Sequence, residues 1–89
     1  MTIQMIKFGE ILNSRTAARE AVLRVKQIVN GSPEDIILDF SKVTLLTPSF
    51  ADEIIKGIKE YYPDKKITYS GTEHNEALVS TLKGIGAIY

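Results

Sequence analysis

Cysteine is missing from the 89 residues, which removes disulfides, thiolate nucleophiles and zinc-thiolate sites from the chemistry open to the chain. An excess of one charge is missing too. Eleven basic and eleven acidic residues cancel, so no general electrostatic force draws the chain to nucleic acid or to an anionic membrane. No apolar run approaches the roughly 18 residues of a membrane span. The opening MTIQMIKFGEIL lacks the basic region, apolar core and small-residue cleavage site of a leader. These absences predict a soluble cytoplasmic protein with no nucleic-acid and no membrane partner. Repeats, low-complexity segments and interdomain linkers are lacking as well, so residues 1–89 read as one domain. A chain of this size buries roughly 60 to 65% of its unfolded surface, which favours a shallow binding surface over a deep catalytic cleft.

What is present is a regular alternation of elements around the stretch IILDFSKVTLLTPSFADEIIKGI, residues 36–58. Ile36, Ile37, Leu38, Phe40 and Val43 form an almost unbroken apolar run, the pattern of a central strand covered on both faces. Before it, Ile3, Met5 and Phe8 predict a first strand over 2–8. Ala17, Ala18, Ala21, Val22, Val25, Ile28 and Val29 recur at helical spacing, which predicts a helix over 14–30. Ser14 or Thr16 caps it, and Asn30-Gly31 closes it. After the central strand, Phe50, Ala51, Ile54, Ile55, Ile58 and Tyr62 share one face of a second helix from Ser49 to about Tyr61. Gly57 within it marks a close contact between helix and sheet. A short third strand over 65–70, a third helix over 73–83 with Thr72 as cap, and an edge strand or packed tail at Ala87-Ile88-Tyr89 complete the order. Right-handed crossovers make the core strands parallel, with helices covering the sheet.

Thr47-Pro48-Ser49 delivers hydroxyls to a helix start at the carboxyl end of the central strand, where α/β folds place their sites. Two readings compete at Ser49. In one it accepts a phosphate, stabilised by free amides and the helix dipole but repelled by Asp52 and Glu53 in the same turn. In the other Ser49 is the cap with Asp52 as capping-box acid, or Thr47 caps and Pro48 takes the first helical position. Neighbouring Asp52 and Glu53 point about 100° apart and are no metal or acid–base pair by themselves. Glu73, His74 and Glu76 read as a solvated helix start, and no metal or other cofactor is expected. No nucleophile–base spacing and no phosphate-cradling glycine loop is present, so no enzymatic activity is expected. Arg15 and Arg19 share a helix face that could meet an acidic partner or a phosphate. Tyr61, Tyr62, Tyr69 and Tyr89 read as core-edge packing.

Residues 39–53, DFSKVTLLTPSFADE, resemble the STAS-like domain family of unknown function, with looser support upstream from Ser14-Arg15 before an alanine-rich helix. That family is similar to the STAS domains of sulfate transporters and anti-sigma factor antagonists. The resemblance implies an α/β sandwich, a mixed and mostly parallel sheet of about four strands covered by about three helices. In the antagonists an Asp-Leu-Ser strand leads to Asp-Ser-Ser-Gly-Leu, whose second serine is phosphorylated by a partner kinase. Asp39-Phe40-Ser41 falls on that strand and Ser49 on the phosphoacceptor. Thr47 stands where the antagonists have an acid, and Phe50-Ala51-Asp52-Glu53 follows the serine. The resemblance implies a regulatory protein–protein interaction module that binds a histidine-kinase-type ATPase or anti-sigma-like partner. Its binding surface would be Thr47, Pro48, Ser49, Phe50, Asp52, Glu53 and Lys56, with Arg15 and Arg19 as a secondary surface. The alternative is a small-ligand or nucleotide sensor that uses the helix start at Thr47-Ser49 as an anion site.

Overall fold

Five short strands and three helices make up the computed structural model, which describes residues 1–88. In chain order they are β1 (Thr2–Gln4), β2 (Ile11–Leu12), α1 (Arg15–Val29), β3 (Ile36–Asp39), β4 (Leu45–Leu46), α2 (Pro48–Tyr61), β5 (Ile67–Ser70) and α3 (Glu76–Gly84). The main sheet has the order β1-β3-β5, all parallel, with Thr2 opposite Ile37 and Ile37 opposite Thr68. Stepping one way across the sheet with crossovers of the favoured hand sets α1 and α2 on the same face. That face carries the core: Ile3, Ile36 and Leu38 from the strands meet Ala18, Val25, Phe50, Ile54, Ile58, Leu78 and Leu82 from the helices. On the opposite face Thr2 and Gln4 are exposed, and Ile37, Asp39, Thr68 and Ser70 are half-buried. The central strand is therefore covered on one face only.

The α/β class and the parallel sheet agree with expectation, and the departures from it are local. Strand β1 stops at Gln4 because a 3-10 turn over Met5–Phe8 takes Met5 into the core, and Gly9 at φ 126° ends that turn. Strand β3 ends at Asp39, and the chain reverses through Lys42 in the left-handed region (φ 71°) while the Val43 N–H bonds the Phe40 carbonyl at 3.0 Å. Two extra strands, β2 and β4, pair in parallel, Ile11 with Leu45 and Leu12 with Leu46. The third helix starts at Glu76, capped by Asn75 rather than Thr72; the Asn75 Oδ1 accepts the Ala77 N–H at 3.0 Å while its Nδ2 donates to the Thr44 carbonyl. Ile85, Ala87 and Ile88 pack against the core as a tail, and Tyr89 lies outside the described residues. Gly57 faces helix α1, not the sheet: a Cβ there would lie 2.6 Å from the Val22 Cγ2.

Candidate functional site

The β2–β4 ladder brings two helix starts together. The Thr47 N–H bonds the Leu12 carbonyl at 2.9 Å, two residues before Ser14 and one before Pro48, so α1 and α2 begin side by side. They run on in the same direction: Arg15 of α1 meets Asp52 and Glu53 of α2 at one end, and the Tyr62 hydroxyl donates to the Lys26 carbonyl at the other. Ser14 caps α1, its Oγ accepting the Ala17 N–H at 3.0 Å. Thr47 caps α2, its Oγ1 accepting the Phe50 N–H at 3.3 Å, and Pro48 takes the first helical position. Of the alternatives open in the sequence, the structure selects Thr47 as cap.

That selection frees Ser49. Its side chain is half-buried at the second helical position, and among the described residues its hydroxyl makes no hydrogen bond. Asp52 and Glu53 lie in the second turn, not in the first with Ser49, and they bring their own counter-ions. The Arg15 Nη1 stands 3.4 Å from both the Asp52 Oδ2 and the Glu53 Oε2; the Arg19 Nε holds the Glu53 Oε1 at 2.7 Å, and the Lys56 Nζ holds the Asp52 Oδ2 at 3.2 Å. The Lys56 hydrogen bond leads in holding the Asp52 carboxyl below its ordinary range, and the Arg19 hydrogen bond does so for Glu53. Three cations and two anions give the face a net positive charge. Arg15 and Arg19 thus belong to the same surface as Thr47, Pro48, Ser49, Asp52, Glu53 and Lys56. Phe50 does not: it is fully buried, because three- and four-residue spacing puts it in line with Ile54 under the helix.

For an anion, the start of α2 has little left to offer. Pro48 has no N–H, the Phe50 N–H is taken by Thr47, and the Ala51 N–H bonds the Thr47 carbonyl, which leaves the N–H of Ser49. A nucleotide or small-anion site built on these amides alone lacks donors. Farther along, a groove of ≈460 Å³ runs between the helices over Val22 and Gly57, with the exposed Leu23 and Tyr61 as walls. The Lys26 Nζ sits 4.3 Å above the Tyr61 ring, so Tyr61 is a surface residue rather than core-edge packing.

At the carboxyl end of β3 a second polar cluster is closed on itself. The Asp39 Oδ1 accepts both the Ser41 N–H at 2.9 Å and the Ser41 hydroxyl at 2.7 Å, and these bonds, the hydroxyl first, hold its carboxyl below the ordinary range. Gly71, at φ 71°, backs onto the pair so closely that a Cβ would collide with the Asp39 Oδ1 and lie 2.5 Å from the Ser41 N and Oγ. Nothing in the periodicity of the sequence marks Gly71; the signal it does carry is that of a glycine at the end of a strand, where another backbone can approach closely. His74 hydrogen-bonds the Val43 carbonyl through Nε2 at 2.9 Å; a carbonyl only accepts, so Nε2 carries the proton. Among the described residues no group of three acidic or histidine side chains could hold a metal ion, and no helix is long and apolar enough to cross a membrane.

A parallel sheet with helices on one face, and a helix start presented beside Ser49 at the carboxyl end of the strand pair, define an α/β module of STAS type. Residues 19–77, well over half of the chain, match the family model described as a STAS-like domain of unknown function, and the chain belongs to that family. No curated protein and no solved structure gives a significant match. Membership suggests a regulatory module.

Proposed function

We propose that the chain is a regulatory protein–protein interaction module, similar to the anti-sigma factor antagonists. On this reading it binds a histidine-kinase-type ATPase or anti-sigma-like partner through Thr47, Pro48, Ser49, Asp52, Glu53 and Lys56, together with Arg15 and Arg19. It is acted upon and does not itself catalyse. The observation that carries the reading is the division of labour at the start of α2: Thr47 provides the cap, and the Ser49 hydroxyl is left without a structural task. Phosphorylation would form a bond between the Ser49 Oγ and the γ-phosphorus of ATP. The bond from that phosphorus to ADP breaks, and the hydroxyl proton passes to a base of the kinase.

The experiment is incubation of residues 1–89 with a histidine-kinase-type ATPase and ATP, followed by peptide mass spectrometry and a binding titration. A phosphopeptide covering Ser49 that is lost in Ser49→Ala, together with weaker binding of the phosphorylated chain, is the expected result. Binding with an unmodified Ser49 peptide would leave an interaction module without the switch. Absence of both sinks the reading.

A further inference from the structure

Resting on Ser49 as phosphoacceptor, we infer that Arg15 is the residue that receives a phosphate on Ser49, and that its transfer reverses the charge of the α1–α2 face. Ser49, Asp52 and Glu53 stand at i, i+3 and i+4 on one face of α2, where neighbouring side chains lie about 5–6 Å apart at Cβ. The Arg15 guanidinium already lies over that face. It is held there loosely, with both its contacts at 3.4 Å against the roughly 2.7–2.9 Å of a strong charge-assisted bond, and its side chain is 49% exposed. Arg19 and Lys56 are engaged more closely, at 2.7 and 3.2 Å.

The network tolerates the departure of Arg15. Asp52 keeps Lys56, and Glu53 keeps Arg19, so neither carboxylate is left without a counter-ion. A phosphate also needs Arg15, because the helix start supplies a single amide N–H, that of Ser49 itself. Three phosphate oxygens fit a guanidinium fork better than two carboxylates from different residues do. The local charge, +1 from Arg15, Arg19 and Lys56 against Asp52 and Glu53, falls to about −0.5 to −1 when a group of about −1.5 to −2 is added. An acidic patch on the partner therefore suits the unmodified face and is repelled by the modified one.

The test installs phosphoserine at position 49 of the full chain by genetic-code expansion, which separates it from the question of whether any kinase acts there. Titration by 31P NMR follows the second ionisation of the phosphate. The midpoint in the Arg15→Gln background should lie above that of the otherwise unaltered chain by ~0.5 to 1 in pH, because a facing cation favours the dianion. Arg15→Lys should fall between them, and Arg24→Gln, on the same helix outside the cluster, should change nothing. Arg15→Lys keeps the charge, so it serves where Arg15→Gln perturbs folding. Coincident midpoints in the Arg15 variants and the unaltered background overturn the inference, whether or not a kinase modifies Ser49.

Discussion

The Asp39–Ser41–Gly71 joint and the Arg15–Asp52–Glu53 cluster are built from one continuous stretch and its neighbours, yet they treat their polar groups in opposite ways. At the joint a carboxylate is satisfied by neutral donors two residues on, and Gly71 closes the space behind it. At the cluster the charges are shared over two helices at longer distances, with half-exposed side chains and a serine hydroxyl left over. A closed polar unit stabilises a chain reversal and has nothing to spare for a partner. An open one contributes little to stability and can exchange partners without cost to the fold. The stretch that identifies the family thus builds with its first half and presents with its second.

The largest expected effect comes from opening the closed region. Gly71→Ala places a methyl group against the Asp39 carboxylate and Ser41 in a backbone conformation that L residues avoid. A loss of about 3 kcal/mol is expected from overpacking and positive φ together, read by urea denaturation. A loss below about 1 kcal/mol would show that the joint yields easily and that the contrast with the cluster is not one of rigidity. Gly57→Ala comes next. The stiff Val22 side chain blocks the added methyl, and overpacking of about 1–3 kcal/mol outweighs the gain of about 1 kcal/mol in helix propensity. Adding Val22→Ala should recover part of the loss, and a single variant more stable than the parent would mean that α1 and α2 part freely.

A smaller pair of effects separates the two hydroxyls at the start of α2. Thr47→Val keeps the shape and removes the cap, at a cost of about 1 kcal/mol. Ser49→Ala should change stability by less than about 0.5 kcal/mol, since no hydrogen bond is lost. Equal costs at the two positions would return Ser49 to a structural role and take away the observation on which the proposed function stands.

The legible parts of this molecule are those set by near neighbours. Ser14 before the α1 pattern, Asn30-Gly31 after it and Thr47-Pro48 before α2 all act within a turn, and α1 and α2 run close to where these residues put them. The two-residue strands β2 and β4 are too short for any periodicity, and what pairs them is a partner more than thirty residues away. The meeting of Arg15 with Asp52 and Glu53 is hidden for the same reason: two stretches that support the family resemblance separately become one surface only through the parallel crossover. Phe50 is a different case. Its spacing to Ile54 marks it as core, and that periodicity outweighs its position beside Ser49.

Acid titration at two salt concentrations tests the comparison most gently, because all three carboxylates involved reach solvent. Asp39, Asp52 and Glu53 have carboxyls held below the ordinary range, so each contributes stability that is present at neutral pH and lost as pH falls through that range into the folded-state values. The causes differ. Hydrogen bonds from the neutral Ser41 hydroxyl and amide lower Asp39, whereas Lys56 and Arg19 act on Asp52 and Glu53 through hydrogen bonds reinforced by charge. Salt screens the second kind and leaves the first. Melting temperatures followed downward from pH 6 should therefore fall less steeply in 1 M than in 0.05 M sodium chloride. Glu53→Gln should narrow that difference between the two salts. Asp39→Asn should flatten the fall in both salts while leaving the difference between them in place. If Asp39→Asn instead abolished the salt dependence, the joint would be electrostatic like the cluster, and the distinction between a closed and an open polar region would fail.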